Sequence, residues 1–186
     1  MRKKVIIIEG PDNCGKDTLI KKLNEYFNGS TAVLHAGIPD SSLSLFDFYY
    51  NGLIHQTLDH YYFTDVKAII HNRSIYGEYV YGPKYRNENI DQVKKIIYNM
   101  EVGELKTYIF DLYFILLNSD SVDLLVKNDD GLSYSSKKGD IEDEIKAFDD
   151  VFEQSTIKNK KRILVNNGNS FRSKEDIFKD VFEFIK

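Results

Sequence analysis

Five short apolar runs punctuate the chain: Val5–Ile8, Ala32–Leu34, Val66–Ile70, Leu112–Leu117 and Ile163–Val165. Their near-uniform apolarity leaves no wet face, which predicts strands buried on both sides, the habit of parallel sheets. Between them, apolar residues recur at helical spacing. A first helix is predicted at about residues 16–28. A second, about 43–62, carries Leu43, Phe46, Tyr50, Leu53, Ile54, Leu58 and Tyr61 on one face. A third runs from Ile90 to about Leu105, and a fourth from Ile141 to Gln154 with Ile141, Ile145, Phe148 and Phe152 in register. The last spans Lys174–Ile185 behind Ser173, a natural N-cap. This alternation predicts an α/β fold, a parallel sheet with helices on both faces, and residues 1–186 read as a single domain. Ligands in such folds sit beyond the carboxyl ends of the strands. The segments to inspect are therefore 10–18, 35–41, 71–86 and 118–138.

The first of these, Gly10-Pro11-Asp12-Asn13-Cys14-Gly15-Lys16-Asp17-Thr18, joins a buried strand to a helix. Two glycines separated by four residues let backbone N–H groups curl around phosphate oxygens, while Lys16 reaches the terminal phosphates and the helix start adds its dipole. Gly10, Asn13, Cys14, Gly15, Lys16, Asp17 and Thr18 are accordingly the candidate ATP contacts. A glycine-rich turn can also serve packing alone, but the strand before it and the helical spacing after it are what a nucleotide loop requires. One feature departs from that motif. Asp17 stands where a hydroxyl ligand for Mg²⁺ is usual, and Thr18 follows one step later.

Composition narrows the partners. The chain has 186 residues, of which 42% are apolar, enough for one sizeable core. A net charge of −4 argues against a nucleic-acid polymer as partner and suits a mononucleotide. No stretch is apolar and long enough to span a bilayer, and Met1-Arg2-Lys3-Lys4 leads into only four apolar residues, too few for a signal peptide. Cys14 is the single cysteine, more readily a small loop filler than a reactive group, and no internal disulfide can form. These features predict a cytoplasmic protein with no membrane partner. His35, His55, His60 and His71 show no metal-ligand spacing.

Arginine is scarce, which makes Arg73 and Arg86 conspicuous in the stretch His71–Arg86. Arg73 either forks a phosphate or pairs with a carboxylate such as Glu78. Arg86 and Lys84, behind the Gly82-Pro83 turn, either close over a substrate or are solvated charges. Tyr81 and Tyr79 either pack in the core or offer a ring and hydroxyl to a nucleobase. The polar segment at about 127–139 is longer than a connection needs and reads as a lid carrying Lys127, Lys137 or Lys138 toward a transferring phosphate, or as a plain solvated loop.

Together the loop from Ile8 to Lys16, the Asn72-Arg73 pair after the third strand and the lid resemble the thymidylate kinase group of P-loop nucleotide kinases, phage-type members above all. The group's Asp-Arg-Tyr falls on Asn72-Arg73-Ser74, its Ala-Tyr-Gln on Val80-Tyr81-Gly82, and its Phe-Pro-x-Arg on Ile38-Pro39-Asp40-Ser41. The resemblance implies a three-layer P-loop kinase fold with five parallel strands in the order 2-3-1-4-5, and transfer of the γ-phosphate of ATP to a deoxynucleoside monophosphate, with Mg²⁺ as cofactor and a homodimeric state. Lys16 would stabilise the transferred group, assisted by Arg73 and Lys127. Asp12 would contact the sugar 3′-hydroxyl, Arg73 would hold the acceptor's phosphate, and Glu9, Tyr81 and Arg86 would complete the acceptor side. Asp17, Asn72 and Ser41 depart from the pattern. A carboxylate beside the β- and γ-phosphates calls for a cation between them, so Asp17 is the expected Mg²⁺ ligand, supplying the charge that Asn72 lacks, with Thr18 as the other candidate. With the arginine and glutamine positions changed, the acceptor base is left open among dTMP, dUMP, a modified pyrimidine or a broader set. Two further readings stay open: a deoxynucleoside kinase that phosphorylates a 5′-hydroxyl with Glu9 as base, and an ATP-binding module with degraded catalytic parts.

Overall fold

The computed structural model describes residues 3–39, 42–104, 111–129, 131, 133, 134 and 136–186. Its sheet has five parallel strands, β1 (Lys4–Glu9), β2 (Thr31–His35), β3 (Ala68–Asn72), β4 (Asp111–Asn118) and β5 (Lys160–Leu164), in the order 2-3-1-4-5. β1 lies in the middle, with Ile6 opposite Ile70 on one side and Tyr113 on the other. Because side chains alternate across a strand, Val5 and Ile7 enter one core layer while Ile6 and Ile8 enter the other. The layer on Val5 and Ile7 is closed by α2 (His55–Phe63), α3 (Ile75–Tyr85), α4 (Ile90–Asn99) and α6 (Lys138–Gln154). The opposite layer is closed by α1 (Lys16–Tyr26), α5 (Val122–Lys127) and α7 (Lys174–Ile185). A two-residue hairpin, β6 (Asn166–Asn167) with β7 (Ser170–Phe171), follows β5. No described helix is long and apolar enough to cross a membrane.

The differences from the expected elements have local causes. β3 runs to Asn72 rather than stopping at Ile70, because its parallel pairing with β1 continues through His71 and Asn72, both buried despite their polarity. The expected helix over 43–62 is π-helical over Asp47–Ile54, where Tyr49 enters the core, while Leu43 and Phe46 ahead of that segment are exposed. The helix from Ile90 likewise passes into a π turn at Met100–Glu104, and Leu105 lies outside the described residues.

The largest departure is α3, which occupies a segment where no element was expected and Gly82-Pro83 was read as a turn. Every residue from Ile75 to Gly82 is buried, so the helix has no polar stripe to betray its period. Gly77, Gly82 and Pro83 in the last turn suppress the helical signal further. Ser74 starts it, its hydroxyl accepting from the Tyr76 N–H.

Candidate active site

The loop between β1 and α1 takes its shape from three backbone positions. Gly10 (φ 145°) lies so close to β4 that a Cβ there would sit 2.0 Å from the Leu117 carbonyl oxygen, and only glycine fits. Asn13 and Gly15 also take positive φ, 64° and 80°, and Gly15 caps α1. Lys16, buried at the first helical position, donates to the carbonyls of Gly10 (2.8 Å) and Pro11 (2.7 Å) and lies 3.8 Å from Asp12. Burial, with the nearby Arg73 charge, pulls its pKa below the ordinary lysine value against the opposing pull of Asp12.

Arg73 pairs with Asp12 as well, and not with the Glu78 carboxylate weighed from the sequence. Arg73 (φ 67°) leaves β3 in a left-handed conformation that turns its side chain toward the loop. Lys16 and Arg73 thus converge on one carboxylate. Asp17, exposed at the first turn of α1, accepts from the Asn72 side-chain amide at 2.7 Å, and the amide's own oxygen is buried without a partner.

Three cavities run on from one another along the carboxyl edge of the sheet. One of 210 Å³, mostly apolar, lies between α1 and the β6–β7 hairpin, bounded by Leu19, Val165, Phe171 and Arg172. It shares Asn13, Gly15 and Thr18 with a polar cavity of 370 Å³ that holds Asp12, Lys16, Asp17 and Asn72. That cavity in turn shares His35, Arg73 and Ser133 with one of 540 Å³ walled by Tyr49, Glu78, Tyr81, Arg86 and Tyr134. Phe171, Arg172 and Tyr134 escaped the sequence reading, since a hairpin of two-residue strands and a lone aromatic in a polar loop carry no pattern.

In the wall of the 540 Å³ cavity Arg86 is bound to Glu78 at 2.6 Å, and the Tyr49 hydroxyl donates to the same carboxylate oxygen at 3.0 Å. Gly82 accounts for this arrangement: a Cβ there would meet the other Glu78 oxygen at 2.2 Å. Lys84 turns away to Asp140 and Asp143, so neither cation behind Gly82-Pro83 is left for an acceptor phosphate.

The described residues of the segment 127–139 contact both the β1–α1 loop and the wall of the 540 Å³ cavity. Asn13 of the loop donates to Ser133 (3.1 Å) and Asp129 (3.4 Å). Tyr134 stacks on Tyr81 and Tyr85 at ring separations of 5.0 and 5.1 Å, and its hydroxyl accepts from Arg86 at 2.9 Å.

Several expected contacts fall elsewhere. Lys127 ends α5, exposed, and lines none of the three cavities, although its neighbour Asn128 does. Lys138 pairs with Asp123. Cys14 is buried in the apolar cavity's wall and its thiol is pushed up to about 12 by burial, which makes it a filler and not a nucleophile. Glu9 has no exposed surface and lines none of the three cavities. One of its oxygens accepts from the Ser74 hydroxyl (2.7 Å) and the Gly77 N–H (3.3 Å), the other has no partner, and burial lifts its pKa to about 7. His71, facing Thr57, is held neutral by burial at a pKa of about 4. Ser41 lies outside the described residues.

The sequence matches no protein-family model and no curated protein. Solved structures are similar in fold. YorR from Bacillus subtilis, in complex with phosphorylated GDP, is 19% identical over 97% of this chain and 95% of that one, with a TM-score of 0.61. Thymidylate kinase from Ehrlichia chaffeensis is 12% identical with all of both chains covered (100% and 100%) and a TM-score of 0.61. Thymidylate kinase from Candida albicans is 14% identical over 99% of this chain and 91% of that one, with a TM-score of 0.64. The sheet order and layers are those of the P-loop nucleotide kinases.

Proposed function

We propose that the protein transfers the γ-phosphate of ATP to a deoxynucleoside monophosphate, dTMP or a related pyrimidine nucleotide, and releases the diphosphate. The observation that carries this reading is the unbroken crevice, an apolar chamber, a phosphate chamber and an aromatic chamber joined through Thr18 and Arg73. ATP lies along the first two, its base against Leu19 and Phe171 and its phosphates on the Gly10–Lys16 loop. The acceptor lies in the third with its phosphate at Arg73. Such a transfer needs positioning and charge neutralisation and no covalent enzyme intermediate. Lys16 exchanges the loop carbonyls for the γ-phosphoryl oxygens, and Asp12 holds Arg73 and Lys16 at the point where the two substrates meet, in reach of the acceptor's sugar.

The residues at the phosphate chamber fit Mg²⁺. Asp17, Thr18 and the unpartnered Asn72 oxygen form an all-oxygen donor set of the kind a hard cation takes. When bound there, the ion would neutralise the β- and γ-phosphate charge. The Asp17–Asn72 hydrogen bond supports the exchange of roles expected from the sequence, the carboxylate standing on α1 and the amide on β3.

An ATP-consumption screen across nucleosides and nucleoside monophosphates with Mg²⁺, repeated for Lys16→Ala, tests the reading. ADP should form only with a monophosphate and fall to background in the variant; no acceptor-dependent ADP from the native protein would overturn it. One observation favours a second reading. Glu9, with a pKa of about 7, has the proton affinity of a general base for a 5′-hydroxyl, although its free oxygen is sealed behind Gly77 and the role requires that wall of the chamber to open. Consumption of thymidine in place of dTMP in the same screen would select it.

A further inference from the structure

We infer that His35 is a phosphate-binding residue of the acceptor site, the side chain by which a nucleoside monophosphate is preferred to a nucleoside. The inference deepens the proposed function and rests on its placement of the acceptor's phosphate at the junction of the two polar cavities.

His35 ends β2, opposite Asn72 at the end of β3. Residues in register on parallel strands turn their side chains to the same face of the sheet, and here the neighbours fix which face. Ala32, Leu34 and Ala36 enter the core layer on Val5 and Ile7, so His35 turns the other way, toward α1 and the phosphate loop. On that face the Asn72 amide reaches Asp17 at 2.7 Å, and the exposed His35 stands beside them in the wall of the 370 Å³ cavity. His35 also bounds the 540 Å³ chamber, a position it shares with Arg73 and Ser133. It therefore stands where a phosphate of the acceptor meets the end of the donor.

The charges show what that junction needs. The charged side chains around the 370 Å³ cavity are Lys16, Arg73, Asp12 and Asp17, whose formal charges cancel, and both cations lean on Asp12. A phosphate brought to Arg73 arrives beside that carboxylate and faces the γ-phosphate as well, so Arg73 alone holds it against repulsion from two sides. Arg86 and Lys84 offer no relief, being held by Glu78 and by Asp140 with Asp143. His35 has no hydrogen bond or ion pair among the described residues, and Asp17 on the same wall is engaged by Asn72. An imidazole donates an N–H in either protonation state, and a phosphate oxygen is the acceptor that makes such a bond strong. A nucleoside brings no phosphate to this point and gains nothing from it.

Calorimetric binding to the full chain without ATP tests this, because it does not depend on turnover. Of dTMP, dUMP, dCMP, dGMP and dAMP, the one that binds the native protein most tightly is compared with its own nucleoside. His35→Gln should weaken the monophosphate about 10-fold, the scale of a lost hydrogen bond to a charged group, with the nucleoside and ATP unchanged, and His35→Arg should restore most of the loss. In the native protein one histidine ring ¹⁵N resonance should move on adding the monophosphate and not the nucleoside. That resonance should be the one missing from His35→Gln, which changes only an exposed side chain at the end of an edge strand. Equal affinity of the native protein for monophosphate and nucleoside overturns the inference, as does a His35→Gln variant that binds the monophosphate like the native protein. Weakening of the nucleoside by the same factor makes His35 a structural residue, and weakening of ATP in place of the monophosphate moves it to the donor side; either overturns the inference. Binding of none of the five removes both this inference and the kinase reading. His35-dependent monophosphate binding without ADP formation keeps the inference and removes the kinase reading, whereas phosphorylation of a monophosphate with the same KM in His35→Gln does the reverse.

Discussion

Replacing Glu9 by Gln should change stability in a pH-dependent way, and the size can be worked from its surroundings. Glu9 ends the central strand with no exposed surface, and burial outweighs the Ser74 hydrogen bond and the Arg73 and Lys16 charges to raise its pKa from 4.5 to about 7. In the unfolded chain the carboxyl ionises near 4.5, so between that pH and about 7 the folded state binds the extra proton and stability falls as pH rises. Across the window, at ~1.4 kcal/mol per pH unit, the loss comes to about 3 kcal/mol, complete above pH 7 and absent below 4.5. Gln reproduces the protonated form: its carbonyl can accept from Ser74 and Gly77, and its amide takes the place of the unpartnered oxygen. Urea denaturation of both proteins at pH 4.5 and at pH 8 should therefore give near-equal stabilities at the lower pH and a variant more stable by about 2–3 kcal/mol at the higher. A difference between the two that does not change with pH refutes the assignment of Glu9 as a buried carboxyl titrating near neutrality.

Other perturbations address the loop, the metal and the lid. Gly10→Ala forces a Cβ against the Leu117 backbone at an unfavourable φ, and should cost at least about 3 kcal/mol in denaturation or leave the chain insoluble, because the obstruction is backbone that cannot rotate away. Asp17→Ser should shift the Mg²⁺ titration of ATP consumption to higher concentration, and superimposable titration curves would rule Asp17 out as a ligand. Tyr134→Ala removes the stack on Tyr81 and Tyr85 and the acceptor for Arg86, and should raise KM for the acceptor several-fold while increasing protease cleavage within 127–139. An unchanged cleavage rate would mean that the stack does not hold the lid.

The strands and most of the helices were legible because each signal is local. A four-residue apolar run says buried strand wherever it occurs, and Ile141, Ile145, Phe148 and Phe152 announce one face of one helix without reference to anything else. The loop between β1 and α1 was legible for the same reason: the spacing of Gly10, Gly15 and Lys16 marks a tight strand-to-helix turn, and the structure shows it there with positive φ at Gly10 and Gly15. α3 was not, since burial on every side erases the stripe by which a helix is recognised, and its glycines are there for neighbours distant in sequence or a turn away, Glu9 beside Gly77 and Glu78 beside Gly82. Charged partners were equally beyond reach. Whether Arg73 meets Asp12 or Glu78 depends on which strand ends lie side by side and on the left-handed turn at Arg73, and the pairing of Arg86 with Glu78 became visible only once α3 was seen to be a helix. Sequence by itself determined a parallel α/β sheet with a glycine-rich strand-to-helix loop at its centre, because those follow from periodicity and from residues adjacent in the chain. Only the tertiary structure decided what faces that loop across the crevice, because ion pairing and burial are set by distances between segments that the sequence separates by 60 residues or more, as with Asp12 and Arg73 (|i−j| = 61).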